Sequence, residues 1–145
     1  GKTAAYTLPL LSRLVAEGNP DNHIRAVIMV PTRELAQQID QQIEGFTYFV
    51  PVSAVAVYGG TDGIAWEQQK RGMEMGADIV IATPGRLLSH IKLGTVDLSQ
   101  VSFFVLDVYY HTSPIAVSIF HRSATSFWTK PTGCWTWVFS TISCK

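Results

Sequence analysis

The sequence is short of charge: 15% of its 145 residues are Asp, Glu, Lys or Arg, and the formal net charge is zero. With 47% apolar residues, a disordered polyelectrolyte is excluded, and no global basic footprint marks a nucleic-acid partner. Cysteine is almost absent. Cys134 and Cys144 have no metal-site spacing and make only a weak case for a disulfide. Long apolar runs are missing too: stretches such as 101–106 fall far below the ~20 residues that span a bilayer. No charged-then-apolar leader opens the chain. A soluble cytoplasmic protein without a membrane partner is the expectation. The length fits about one domain, enough to bury roughly two thirds of the unfolded surface.

A second absence is local. Residues 108–145 contain no acidic residue at all. All eleven Asp and Glu lie in 1–107 with eight Lys and Arg, a balance of −3, and the last 38 residues carry +3. Those 38 also hold three of the four Trp, both Cys and twelve Ser or Thr. Such a shift marks a boundary near 107. The segment is too aromatic for a linker and very small for an independent domain.

Within 1–107, short apolar runs at 26–30, 54–58, 79–82 and 103–106 read as strands buried on both faces. Between them, Leu35, Ala36, Ile39, Ile43 and Phe46 form one apolar stripe at helical spacing. Further helices are expected at 65–75 and 84–92, the latter with Leu87, Leu88 and Ile91 inward. Residues 3–17 also have helical spacing, and Pro9 inside them implies a kink or interruption. This alternation predicts an α/β fold with a parallel sheet.

Several segments carry chemistry. The chain starts Gly1-Lys2-Thr3 and runs into a helical pattern, as a phosphate-binding loop ends: Gly admits the backbone, Lys reaches phosphates and the Thr hydroxyl takes Mg²⁺. The first strand leads into Pro31-Thr32-Arg33-Glu34-Leu35-Ala36 and the third into Thr83-Pro84-Gly85-Arg86. Thr32 and Thr83 are placed to cap helices, with Pro84 at the first helical position. Both starts would lie at the carboxyl edge of the sheet, where ligands bind in open α/β folds. Free N–H groups, hydroxyls and an Arg there can hold an anion, and a nucleic-acid backbone is a row of anions. Taken singly, each is also an ordinary cap. Tyr58-Gly59-Gly60 is a turn or a close-approach point. Asp107, ending an apolar strand, is a turn residue or a Mg²⁺-linked carboxylate.

In chain order, Gly1-Lys2-Thr3, Pro31 to Ala36, Gly59-Gly60, Thr83 to Arg86 and Val105-Leu106-Asp107 resemble motifs I, Ia, GG, Ib and the start of motif II of the DEAD-box ATP-dependent RNA helicases. The resemblance covers 1–107. It implies a RecA-like P-loop NTPase domain, incomplete at both ends, that binds ATP and Mg²⁺ and grips the RNA backbone, as single strand or short duplex, without reading bases. Gly1, Lys2 and Thr3 would hold phosphate, Thr3 and Asp107 the Mg²⁺, and Lys2 and Asp107 would act in catalysis. Pro31, Thr32, Arg33, Gly59, Gly60, Thr83, Pro84, Gly85 and Arg86 would line the RNA path. A second RecA-like domain, absent from this chain, would close over ATP. Some other RecA-type NTPase and a non-catalytic RNA-binding fragment are the alternatives; the paired Ia and Ib strings argue against the first.

The pattern breaks after Asp107, where Val108-Tyr109-Tyr110-His111 replaces the family's Glu-Ala-Asp. Ser123-Ala124-Thr125 imitates motif III but lies too close to Asp107. The genetic code accounts for the break. Joining the third base of each codon to the first two of the next, Trp128 and Thr129 force GAC, an Asp, and residues 129–138 permit Glu-Ala-Asp-Arg-Met-Leu-Asp-Met-Gly. Codons from 107 onward likewise permit Arg-Leu-Leu-Ser-His, repeating 86–90 at an offset of 22 codons. All six positions that the code forces agree with the expected residue. Residues 108–145 are therefore expected to be frameshifted translation of a near-duplicated stretch, and His111, His121 and the two Cys are not a metal site. The competing expectation is a genuine β-rich segment. His23 and His90 are expected to be ordinary surface or helix-end residues.

Overall fold

The computed structural model describes residues 2–60, 63–107, 125–129 and 136–140, with side chains at 3–60 and 63–107. Its helices are α1 (Lys2–Glu17), α2 (Arg33–Thr47), α3 (Gly63–Glu74) and α4 (Pro84–Lys92). The strands are β1 (Ala26–Met29), β2 (Ala54–Val57), β3 (Ile79–Ala82), β4 (Phe103–Asp107), β5 (Thr125–Thr129) and β6 (Thr136–Ser140). They form one sheet in the order β2-β3-β1-β4-β6-β5. The first four are parallel, and β6 runs antiparallel to both β4 and β5.

Side-chain alternation along the strands divides the core in two. Ile28, Val30, Ile81 and Val105 meet Leu10 and Leu14 of α1 and Ile39 and Ile43 of α2. Val27, Met29, Val80 and Phe104 meet Met73 of α3 and Leu87 of α4. A sheet covered on both faces needs no polar face, which is why its strands read as unbroken apolar runs. Ala26, Val27, Ile28, Ile79, Val80 and Ile81 are fully buried.

Helix α1 runs through Pro9 without the interruption that the proline could have caused; Pro9 and Ala5 are both exposed, where a lost helical bond is tolerated. His90 is a helix-end residue, in the last turn of α4, but it is fully buried and not at the surface. The edge of β4 away from β1 is paired by β6, from Phe103–Ser140 to Asp107–Thr136.

At the amino edge, Asp78 ties the parallel strands together. Its carboxylate accepts from the Ser53 amide at 3.0 Å and from Asn19 at 2.7 Å, and lies 3.4 Å from the Arg25 guanidinium. Its backbone carbonyl accepts from the Arg25 and Ala26 amides. The opposite edge, formed by the carboxyl ends of β1 to β4, is left for ligands. Among the described residues no helix is long and apolar enough to cross a membrane.

Candidate nucleic-acid interface

Among the described residues, three connections, after β1, β2 and β3, reach the carboxyl edge of the sheet. After β1, Thr32 adopts extended backbone and its hydroxyl accepts from the Leu35 amide at 3.3 Å, starting α2 as the sequence predicts. Arg33 follows in the exposed first turn. Its Nε donates to Glu34 Oε1 at 2.8 Å, and that bond raises the guanidinium pKa and lowers the carboxyl's. After β2, Gly60 has φ +82°, in the left-handed region. A Cβ on Gly60 would stand 3.1 Å from Arg33 Nη1, so a side chain there would crowd the arginine. Gly59 has open space around it.

After β3, Thr83 occupies the cap position in extended backbone and Pro84 begins α4. Thr83 is the N-cap residue, as the sequence predicts, although its hydroxyl makes no capping bond; Pro84 starts the helix with a fixed φ that already suits it. Gly85 is exposed with open space around it. Arg86 is half-buried, its Nε donating to Gln69 Oε1 at 3.3 Å. Gln69 Nε2 donates to the Tyr58 carbonyl at 3.2 Å. The amide of Gln69 thus links Arg86 to the backbone just before Gly59-Gly60. Pro31 and Pro84 are partly buried and flank the two cation-bearing helix starts.

The second corner lies where α1 meets β4. Asp107 Oδ2 accepts from the Tyr6 hydroxyl at 3.0 Å. Burial, and then the adjacent carboxylate, push the Tyr6 pKa well above its usual range, while the Thr3 side chain hydrogen-bonds to the same phenol and opposes the rise. Tyr6 and Asp107 are thus joined across the fold, a contact the sequence did not announce, with Thr3 one turn before Tyr6 on α1. The oxygens of Thr3 and Asp107 are the hard donors that Mg²⁺ prefers, so the residues present fit that ion. Gly1, the Lys2 side chain, His111, His121, Ser123, Ala124, Cys134 and Cys144 lie outside the described residues. The described side chains contain no group of three or more candidate metal ligands.

Sequence reasoning also missed Trp66 and Gln69. No spacing within α3 or α4 signalled them, because their contacts join one helix to the other.

A family model described as DEAD/DEAH box helicase matches residues 1–108. The mouse (Mus musculus) ATP-dependent RNA helicase DDX42 is 44% identical over 109 residues, which is 74% of this chain and 11% of that protein. The ATP-dependent RNA helicase DeaD of Klebsiella pneumoniae is 44% identical over 111 residues, 74% of this chain and 16% of its own length. The chain thus spans less than a fifth of these curated relatives. The crystal structure of a DEAD box protein from Methanococcus jannaschii superposes with a TM-score of 0.63 at 40% identity, over 74% of this chain and 27% of the other.

Proposed function

We propose, from the premise that the chain belongs to the DEAD/DEAH box helicase family, that residues 1–107 are the ATP-binding and RNA-gripping half of an ATP-dependent RNA helicase core. The observation that carries this is the convergence of Arg33, Gly60 and the Gln69-held Arg86 at one sheet edge. Two guanidinium groups and two helix starts there offer charge and N–H donors to successive phosphates, which gives affinity without sequence reading. Pro31, Thr32, Gly59, Thr83, Pro84 and Gly85 shape the path. Gly1, Lys2 and Thr3 hold the nucleotide phosphates. Thr3 and Asp107 hold Mg²⁺, which when bound neutralises phosphate charge. Tyr6 keeps the Asp107 carboxylate oriented through its phenolic proton. The partner is RNA backbone, and a second RecA-like domain completes the ATPase.

Val108 stands where the family's Glu orients the attacking water, so the chain as written grips RNA without turning ATP over. The test is an amide-resolved NMR titration of the 145-residue chain with a ten-nucleotide oligouridylate, alongside a phosphate-release assay. Shifts should cluster at 31–33, 59–60 and 83–86, with no RNA-stimulated release. Shifts confined elsewhere would refute the RNA path, and measurable turnover would refute the inactive state.

For residues 108–145 we propose translation in a shifted frame of a near-copy of the stretch encoding 86–107. The observation favouring it is that all six positions the code forces match the expected residue, five in the family's motif II and its continuation and one in the repeat of 86–90. Sequencing the codons for 107–145 decides it: any codon incompatible with Asp-Glu-Ala-Asp in the shifted frame removes the basis for the proposal.

A further inference from the structure

Helices α3 and α4 meet through a stack that the RNA grip, as so far described, does not use. The Trp66 indole lies flat against the His90 imidazole, with ring centroids 3.8 Å apart and planes within 4° of each other. One turn earlier on α4, the Arg86 guanidinium carbon sits 4.3 Å from the Trp66 ring centroid. His90 is itself pinned. Thr95 Oγ1 donates to the His90 carbonyl at 3.2 Å and lies 2.8 Å from Nδ1. Thr95 has one proton to give, so with that proton on the carbonyl Nδ1 is the donor in the second contact. The indole therefore rests on a ring fixed in place.

Arg86 is consequently held twice, over its planar face by Trp66 and at Nε by Gln69. Its Nη2 is buried without a hydrogen-bond partner among the described residues, a donor whose lost hydration is not yet compensated. An arginine held beforehand loses less freedom on meeting an anion than one that samples solvent. The ring quadrupole attracts the cation without occupying any N–H donor, leaving those donors to phosphate oxygens.

Resting on the RNA-backbone reading above, we propose that Trp66 is a positioning residue for the RNA grip, whose indole face pre-orders Arg86 to receive a backbone phosphate. Trp66 does not touch RNA in this scheme; it acts through Arg86. Phenylalanine keeps a ring face at this position, while leucine keeps apolar bulk and removes the quadrupole.

The test is the same NMR titration of the full chain with the ten-nucleotide oligouridylate, applied to Trp66→Phe, Trp66→Leu, Arg86→Ala and the double variant Trp66→Leu/Arg86→Ala. Arg86→Ala should weaken binding about tenfold, Trp66→Leu about threefold, and Trp66→Phe by less than twofold. The double variant should bind no worse than Arg86→Ala alone. Without RNA, the Arg86 Nε–H resonance should move toward its random-coil position in Trp66→Leu and stay displaced in Trp66→Phe. If Trp66→Leu binds as the parent does, or its loss adds in full to that of Arg86→Ala, the positioning role is wrong while the RNA path stands. If Arg86→Ala itself changes nothing, the RNA path is wrong and the positioning role falls with it.

Discussion

Arg33 and Arg86 reach the same edge in different states of readiness. Arg86 is held from two sides, whereas Arg33 is more than half exposed and engaged with the adjacent Glu34. An exposed pair of this kind contributes little to stability, but it neutralises a cation where a phosphate is to bind. Glu34→Gln should therefore tighten oligouridylate binding about twofold in the NMR titration, with unchanged thermal stability; weaker binding would mean that Glu34 aims Arg33. His90 shows the opposite kind of charge control. Burial, and then the Arg86 cation, hold its pKa below the ordinary value of 6.5. In the window below 6.5 and above that depressed value, the unfolded chain binds the proton and the folded one does not. Stability should accordingly fall as pH drops through this window and level off once folded His90 is protonated. Proton NMR of the His90 ring should place its titration below 6.5, and urea unfolding from pH 7.5 to 5 should lose less stability in His90→Phe.

At the scale of elements, the amino edge of the sheet depends on a single carboxylate. Asp78 is nearly fully buried and receives Ser53, Asn19 and Arg25 from three separate segments. Asp78→Ala leaves Arg25, itself buried with Nε lacking a hydrogen-bond partner among the described residues, with only the more distant and half-exposed Glu17 carboxylate at 3.9 Å. The expected cost is about 3 kcal/mol, seen as a lower urea midpoint at unchanged slope. Asp78→Asn, which keeps an acceptor for Ser53, should cost less. The four parallel strands were legible in sequence because each is buried on both faces and so reads as an uninterrupted apolar run; 79–82 and 84–92 coincide with β3 and α4. Thr32 was legible as a cap for a local reason, since its hydroxyl needs only the Leu35 amide three residues on. The Trp66–His90–Arg86 stack was not, because it depends on how two helices lie against each other, and no periodicity within either one encodes that. Tyr6 and Asp107 are 101 residues apart in sequence, and their contact follows only from placing α1 beside the end of β4.

For the molecule as a whole, the zero net charge of the sequence joins an acidic body to a cationic remainder that carries no acid. The RNA grip proposed for the body does not require a net positive charge, since Arg33, Arg86 and the helix starts would act locally, within about a Debye length of a phosphate. The remainder meets a different physical need. β4 carries five residues whose outer edge is paired by β6, and β6 in turn by β5. Strands rich in Thr, Phe, Trp and Val favour such pairing whatever reading frame supplied them, so a shifted frame and a formed pair of strands are compatible. An uncovered edge on an apolar strand is a template for another chain. A chain ending at Asp107 should therefore self-associate: sedimentation velocity should show mass rising with concentration for the shortened chain and a constant monomer for the 145-residue chain. Replacing Val138, which stands between Val105 of β4 and Phe127 of β5, with Pro removes a backbone N–H from the β4–β6–β5 pairing while keeping the length. If the shortened chain associates and Val138→Pro moves toward the same behaviour, edge cover is the tail's physical role; a shortened chain that stays monomeric would show that β4 needs no cover.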